Sequence, residues 1–304
     1  MLRLPGLSFI LNKCLMKKRL TNTLRLAPLC FVIGTALSGC VINVGGHNSS
    51  DYDGNVNRVF GSISVSEHRQ VGSLTTVNGG ITLSDNVKAD ELTTVNGGVT
   101  VGDFCEIDGI TVVNGDIEAG QQLVSGDGIE SVNGDIALGS GAKVDGSLIT
   151  VNGDIEAADL TLTDNIETVN GDIDSDTSAA DIDISNVNGD MELDLSLVKE
   201  LEISTVNGDI DLELAIEDNS RIFISTVGGD ADIKFNGTIS ADFNIEAHSG
   251  GDIRNKLTKD KVKRDRYGPG ETLEFKVGSG TAEIEIETVG GDITIEQGRK
   301  SKMK

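Results

Sequence analysis

Six aspartates, Asp116, Asp135, Asp154, Asp172, Asp190 and Asp209, follow one another at intervals of 18 or 19 residues, and Asp230 and Asp252 extend the series. Carboxylates stacked about 5 Å apart repel unless they splay into water or share cations. The stripe therefore reads either as a solvated acidic edge or as a row of oxygen ligands for calcium or magnesium. The Gly-Gly-x-Gly-x-Asp pattern of calcium-binding nonapeptide repeats is absent. Two residues before each of the six stands an asparagine. The full asparagine series is Asn78, Asn96, Asn114, Asn133, Asn152, Asn170, Asn188 and Asn207. An amide both donates and accepts, so such a series can bond to itself as a ladder or offer a row of amides to a ligand.

The opposite charge is concentrated elsewhere. Residues 254–270 carry Arg254, Lys256, Lys259, Lys261, Lys263, Arg264 and Arg266, and close on Tyr267-Gly268-Pro269-Gly270. This segment breaks the repeat and is expected to protrude as a loop or hairpin. Lys259, Lys261, Lys263, Arg264 and Arg266 could grip an anionic envelope component or an acidic protein, or simply pair with the acidic body. Cys105 stands nine residues before Asn114, the place that Val87 and Val124 hold before Asn96 and Asn133, and so reads as a buried core thiol. His47, His68 and His248 are too far apart in the repeat to share a metal with Cys105. No catalytic residue is assigned and no cofactor is expected.

The elements that must carry these residues follow from the repeat. A Val-Asn-Gly-Asp-Ile unit, or a close variant, opens at Val77, Val95, Val113, Val132, Val151, Val169, Val187 and Val206, with degenerate copies at Val227, Ser249 and Val289. A fixed period of 18–19 residues marks a solenoid, whose units bury their apolar sides only by stacking. Pairs such as Ile81 with Leu83 and Ile136 with Leu138 alternate with period two, which means strands. An aliphatic residue also lies three before each valine, from Leu74 to Ile203. From there to the Ile after Asn-Gly is seven residues, an odd number, so a bend must fall between them. Asn-Gly is its natural site. Three short strands per period give an all-β, single-chain β-solenoid of about ten coils over residues 58–298, on the order of 50 Å long at strand spacing.

Residues 1–39 hold six bases and no acid, and the apolar run Leu26 to Leu37 follows Lys17-Lys18-Arg19, the pattern of a signal peptide. Met16 is the expected start. The segment ends Leu37-Ser38-Gly39-Cys40, which resembles the lipobox of bacterial lipoproteins. The resemblance implies cleavage before Cys40, a diacylglycerol on its sulfur and a palmitate-type second acylation, which together anchor stably where one chain would not. Val41 rather than Asp after the cysteine implies outer-membrane placement, with the periplasmic or surface face left open. Residues 40–57 read as a tether and 299–304 as a basic tail.

The Val-Asn-Gly-Asp-Ile units and the closing Gly-Gly-Asp-Ile-Thr-Ile at Gly290 to Ile295 resemble a bacterial beta-strand-repeat domain of unknown function that bears an adhesin label. The resemblance spans about Leu74 to Glu296 and implies a β-helix, preferably right-handed, in the cell envelope.

From Cys40 onward 19 bases face 49 acids, a net of −30 that should repel nucleic acid. With no Trp and two Tyr, aromatic stacking sites for sugars or bases are disfavoured. The expectation is a non-enzymatic, membrane-anchored envelope protein that presents a rigid acidic solenoid for adhesion, scaffolding or partner binding. The alternatives are a β-helical polysaccharide-active enzyme and a bactofilin-like polymerising scaffold.

Overall fold

The computed structural model describes residues 54–162, 164–266 and 268–298. The export segment, Cys40, His47 and the 299–304 tail lie outside the described residues. Those described form twenty-six strands and no helix. The strands stack in parallel as a β-solenoid of about nine turns.

Two aliphatic columns run the length of the stack. One is Leu74, Leu92, Ile110, Ile129, Leu148, Ile166, Ile184 and Ile203, each paired in register with the next. The other is Ile81, Val99, Ile117, Ile136, Ile155, Ile173, Met191 and Ile210. All sixteen are buried. Burying one such side chain is worth about 1.5–3 kcal/mol, so this shared interior dominates the stability.

The bend between the columns falls at Asn-Gly, as the odd spacing demands. Only the glycine leaves ordinary backbone space: Gly97, Gly115, Gly134, Gly171, Gly189 and Gly208 have φ between 139° and 159°. Close approach is the second reason for glycine here. A Cβ on Gly171 would sit 2.5 Å from the carbonyl carbon of Gly153 in the coil before and closer still to its oxygen. The same overlap recurs at Gly97, Gly115, Gly134, Gly153, Gly189 and Gly208.

A second corner of the coil was not visible in the sequence. His68, Asn86, Phe104, Gln122 and Asp159 all have left-handed φ, between 51° and 60°. Each lies one coil from the next; in the 139–144 coil Gly141 takes the place, at φ 78°. From Asn86 onward the residue after the corner turns inward, so Val87, Cys105, Leu123, Ala142 and Leu160 form a third buried column. Here the sequence reading needs correction. Cys105 is buried as expected, but Leu123 and not Val124 is its counterpart, because Glu106 pairs with Val124. The 19-residue spacing from Asn114 to Asn133 puts its extra residue after this corner, which turns Val124 outward.

The domain boundaries also shift slightly. The first strand is Val56–Phe60, so Val56 and Asn57 belong to the solenoid and not to the tether. Arg254 and Asn255 lie in the strand Ile253–Asn255 and are not part of the insertion.

The C-terminal end departs from sequence order. Ala282–Thr288 pairs in parallel with residues 221–226 on one side and with Ala241–Ala247 on the other. Likewise Ile293–Gln297 lies between Ala231–Phe235 and Ile253–Asn255. The last strands of the chain thus form the penultimate layer. Glu271–Val277 then runs antiparallel along Ala241–Ala247. Phe243 stacks on Phe275 (4.5 Å) and meets Phe235 edge-on (5.4 Å), filling this end with rings.

These contacts predict that Gly171→Ala, which must both strain φ and displace a carbonyl, lowers stability by about 3 kcal/mol. Gly237→Ala, at φ 80° with nothing within 4 Å of the added carbon, should cost only about 1 kcal/mol. Urea denaturation of the two variants checks the contrast.

Candidate functional site: outer ladders and the basic hairpin

The asparagines form a continuous exposed ladder. Each Nδ2 donates to the Oδ1 of the asparagine one coil earlier, from Asn96 on Asn78 to Asn207 on Asn188, at 2.8–3.1 Å. Their amides are therefore used along the stack.

The aspartates solve their repulsion in a way that neither reading of the stripe foresaw. Asp116 Oδ1 accepts the backbone N–H of Asp135, Asp135 accepts that of Asp154, and the series runs on through Asp172, Asp190, Asp209 and Asp230 at 2.8–3.1 Å. Each carboxylate is thus bonded to the next coil, and the bond to a charged acceptor offsets the neighbouring like charge. The order also changes: Asp292 stands between Asp230 and Asp252, donating to the first and accepting from the second. Among the described residues no three His, Cys, Asp or Glu converge as a metal site. The geometry does not favour a calcium row.

An inner ladder escaped the sequence reading. Thr76, Thr94, Thr150 and Thr168 are buried, and their hydroxyls donate to the bend carbonyls of Gly61, Gly79, Gly134 and Gly153 at 3.0–3.2 Å. Asn186 does the same to Gly171. The clue was a Thr, Ser or Asn directly before most repeat valines. Those valines themselves are only partly covered and face outward; Val206 and Val227 are 40% and 46% exposed.

A second acidic column lies on the outer face beside the aspartate ladder. Asp176, Asp194 and Glu213 are paired in register. Partial burial, then its neighbours Asp176 and Glu213, push the Asp194 carboxyl above the usual range. Burial, then Asp174 and Asp159, do the same to Asp176. Lys234 relieves the next coil, 2.8 Å from Asp211 and 3.7 Å from Glu213. Burial likewise raises the Cys105 thiol, whose Sγ lies 3.2 Å from the Ser84 carbonyl, which suits a core residue rather than a nucleophile.

The basic segment is a hairpin. Lys263–Arg264 pairs antiparallel with residues 271–272. Glu271 is buried at its base, accepting Ile253 N–H at 2.8 Å and Arg264 Nε at 2.6 Å. Arg264 also approaches Asp252, Lys263 pairs with Glu274, Lys256 with Glu296 and Arg254 with Asp292. Of the five residues read as an anionic contact, two are therefore already paired, Lys263 across the hairpin and Arg264 both across it and to Asp252. Lys259, Lys261 and Arg266 are exposed and have no ion-pair partner among the described residues. His68 lies 4.0 Å from Glu67 and His248 3.6 Å from Glu246, at separate places in the stack.

The profile of one protein family, described as Toastrack DUF4097, matches residues 53–296. The chain belongs to the Toastrack DUF4097 family. That is a domain of unknown function, and its span in this chain is the solenoid with its C-terminal layers. No curated protein and no solved structure matches the chain. The Toastrack assignment therefore brings an architecture, and the chemistry has to be argued from the residues.

Two outcomes are expected. Asp154→Asn keeps an oxygen for Asp172 N–H and removes a repelled charge, so it should be neutral or stabilising, whereas Asp154→Ala should cost about 1 kcal/mol. Asp194→Asn should raise the melting temperature at neutral pH. A carboxyl raised in the folded state destabilises it when ionised, and the penalty fades as pH falls through the raised value. The gain should therefore shrink between neutrality and the acid end of the carboxylate range, as melting curves across that range would show.

Proposed function

We propose that this chain is an exported, lipid-anchored envelope protein of the outer membrane that presents its solenoid as a binding or scaffolding surface and catalyses nothing. The observation that carries the reading is the use of the repeated polar side chains. The asparagine and aspartate columns, which hold most of the candidate chemistry, are engaged in coil-to-coil hydrogen bonds. Leu37-Ser38-Gly39-Cys40 supports the anchor and Val41 the outer membrane. Lys259, Lys261 and Arg266 support an anionic partner, because they stand exposed on a hairpin of the C-terminal layers. Phosphate or carboxylate groups of an envelope polymer fit them, through contacts that are individually weak and screened by salt.

Mass spectrometry of the mature protein should find an acylated Cys40 as the first residue; a free N-terminus elsewhere would refute the anchor. A Cys40→Ser chain should be retained on purified envelope material at low salt. Replacing Lys259, Lys261 and Arg266 with Gln should release it at lower ionic strength. Unchanged retention would exclude the hairpin, and cleavage of envelope glycans by the purified chain would overturn the non-enzymatic reading.

A further inference from the structure

The first coil differs from those above it in two ways. Phe60 is paired in register with Asn78 and stands where the asparagine ladder would continue, so Asn78 Nδ2 has only the Val59 carbonyl at 3.3 Å, a bond that Asn114 and Asn133 make to Val95 and Val113 in addition to the ladder. The phenyl ring cannot join the ladder and is 75% exposed, more than any other large hydrophobic side chain described. Charge is the second difference. Residues 54–72 carry Arg58 and Arg69 against Glu67, whereas 91–108 carry four acids and no base, and 201–219 six acids and no base. Even with Asp51 and Asp53 included, the stretch from Cys40 to Gly72 has three acids to two bases.

We propose that the first coil is a membrane seat: Phe60 enters the interface of the anionic bilayer that holds the Cys40 lipid, and the solenoid stands end-on above it. The proposal rests on the lipid-anchor reading given above. Three arguments select a lipid surface as the occupant. Fourteen peptide units join Cys40 to Gly54, and at full stretch they reach no more than about 50 Å. Of the described coils, this one follows Cys40 most directly along the chain. Phe, with Trp and Leu, is the kind of side chain that interfacial segments bury at the headgroup–acyl boundary. The third argument is electrostatic. Counter-ions screen charge beyond about 8–10 Å, and coils rise about 4.8 Å each. End-on, the strongly acidic coils lie beyond that range of an anionic surface, whereas lying flat would bring all of them within it.

The chain has no Trp, so a single substitution gives a depth probe. The acylated full chain is reconstituted on vesicles of phosphatidylethanolamine and phosphatidylglycerol, with and without brominated acyl chains. Phe60→Trp is compared with Phe104→Trp and Leu197→Trp, whose sites are 58% and 61% exposed in higher coils. The fluorophore at position 60 should shift to the blue and lose emission to the brominated lipid. Those at 104 and 197 should keep the emission of a ring in water. A vesicle-bound chain with position 60 unquenched, or with all three quenched alike as in a flat posture, overturns the seat and leaves the anchor standing. A chain that does not float with vesicles overturns the anchor reading and the seat together. A blue shift that needs no vesicles and grows with protein concentration assigns the site to a second copy of the chain and overturns the proposal.

Discussion

The constraint on which this structure depends is the close approach of successive coils at the Asn-Gly bend. Each bend glycine lies against the carbonyl of the glycine in the preceding coil, with no room for a Cβ. That contact fixes the rise between coils at one place in every turn. The register of everything else follows from it. The asparagine amides come within hydrogen-bonding distance, the aspartate oxygens reach the next backbone N–H, and the threonine hydroxyls reach the bend carbonyl from inside. Three ladders on three sides of one glycine column keep the aliphatic columns aligned, with no disulfide among the described residues.

This arrangement also explains how so acidic a body stays stacked. Like charges at strand spacing are destabilising when they only face one another. In the repeat's own column each carboxylate gains a backbone donor, a strong hydrogen bond to a charged acceptor that compensates the repulsion. At Asp176 and Asp194, which have no such donor, partial burial and then the neighbouring carboxylates raise the proton affinity. Lys234 shows the other solution, one cation shared by two carboxylates. The acidic surface is therefore of two kinds, one structural and one available to respond to pH.

The C-terminal layers end the stack in a manner that limits open edges. A solenoid end exposes unpaired strand groups, which invite other chains. Here Ala282–Thr288 is sandwiched, the antiparallel Glu271–Val277 covers the layer beyond it, and the hairpin pinned by Arg264 and Glu271 closes the side. The same layers gather three phenylalanine rings and most of the bases that the body lacks. The opposite end carries Phe60 and a coil that is nearly free of acid. The two ends therefore differ from the flank in ways that suit different surroundings.

Much of this was determined by the sequence alone. The 18–19-residue period, the alternation around Ile81 or Ile136 and the odd spacing from Leu74 to Ile81 were enough for stacked strands with a bend at Asn-Gly, because register and burial in a repeat are local and recur. The asparagine ladder was legible for the same reason. The second corner was not, since His68, Asn86, Phe104 and Gln122 share a backbone conformation and no side-chain chemistry. Nor could spacing tell Leu123 from Val124 once a coil gained a residue. The role of the aspartates depended on which atom faced the next backbone N–H, which is a matter of ångströms. The position of Asp292 between Asp230 and Asp252 and the pairing of Arg264 with buried Glu271 join residues 40 or more apart, or across a hairpin whose base is set by the layer beneath. A repeat specifies how neighbours stack, but it does not specify which neighbour arrives last; only the folded chain, choosing among strands of nearly the same sequence, decided that.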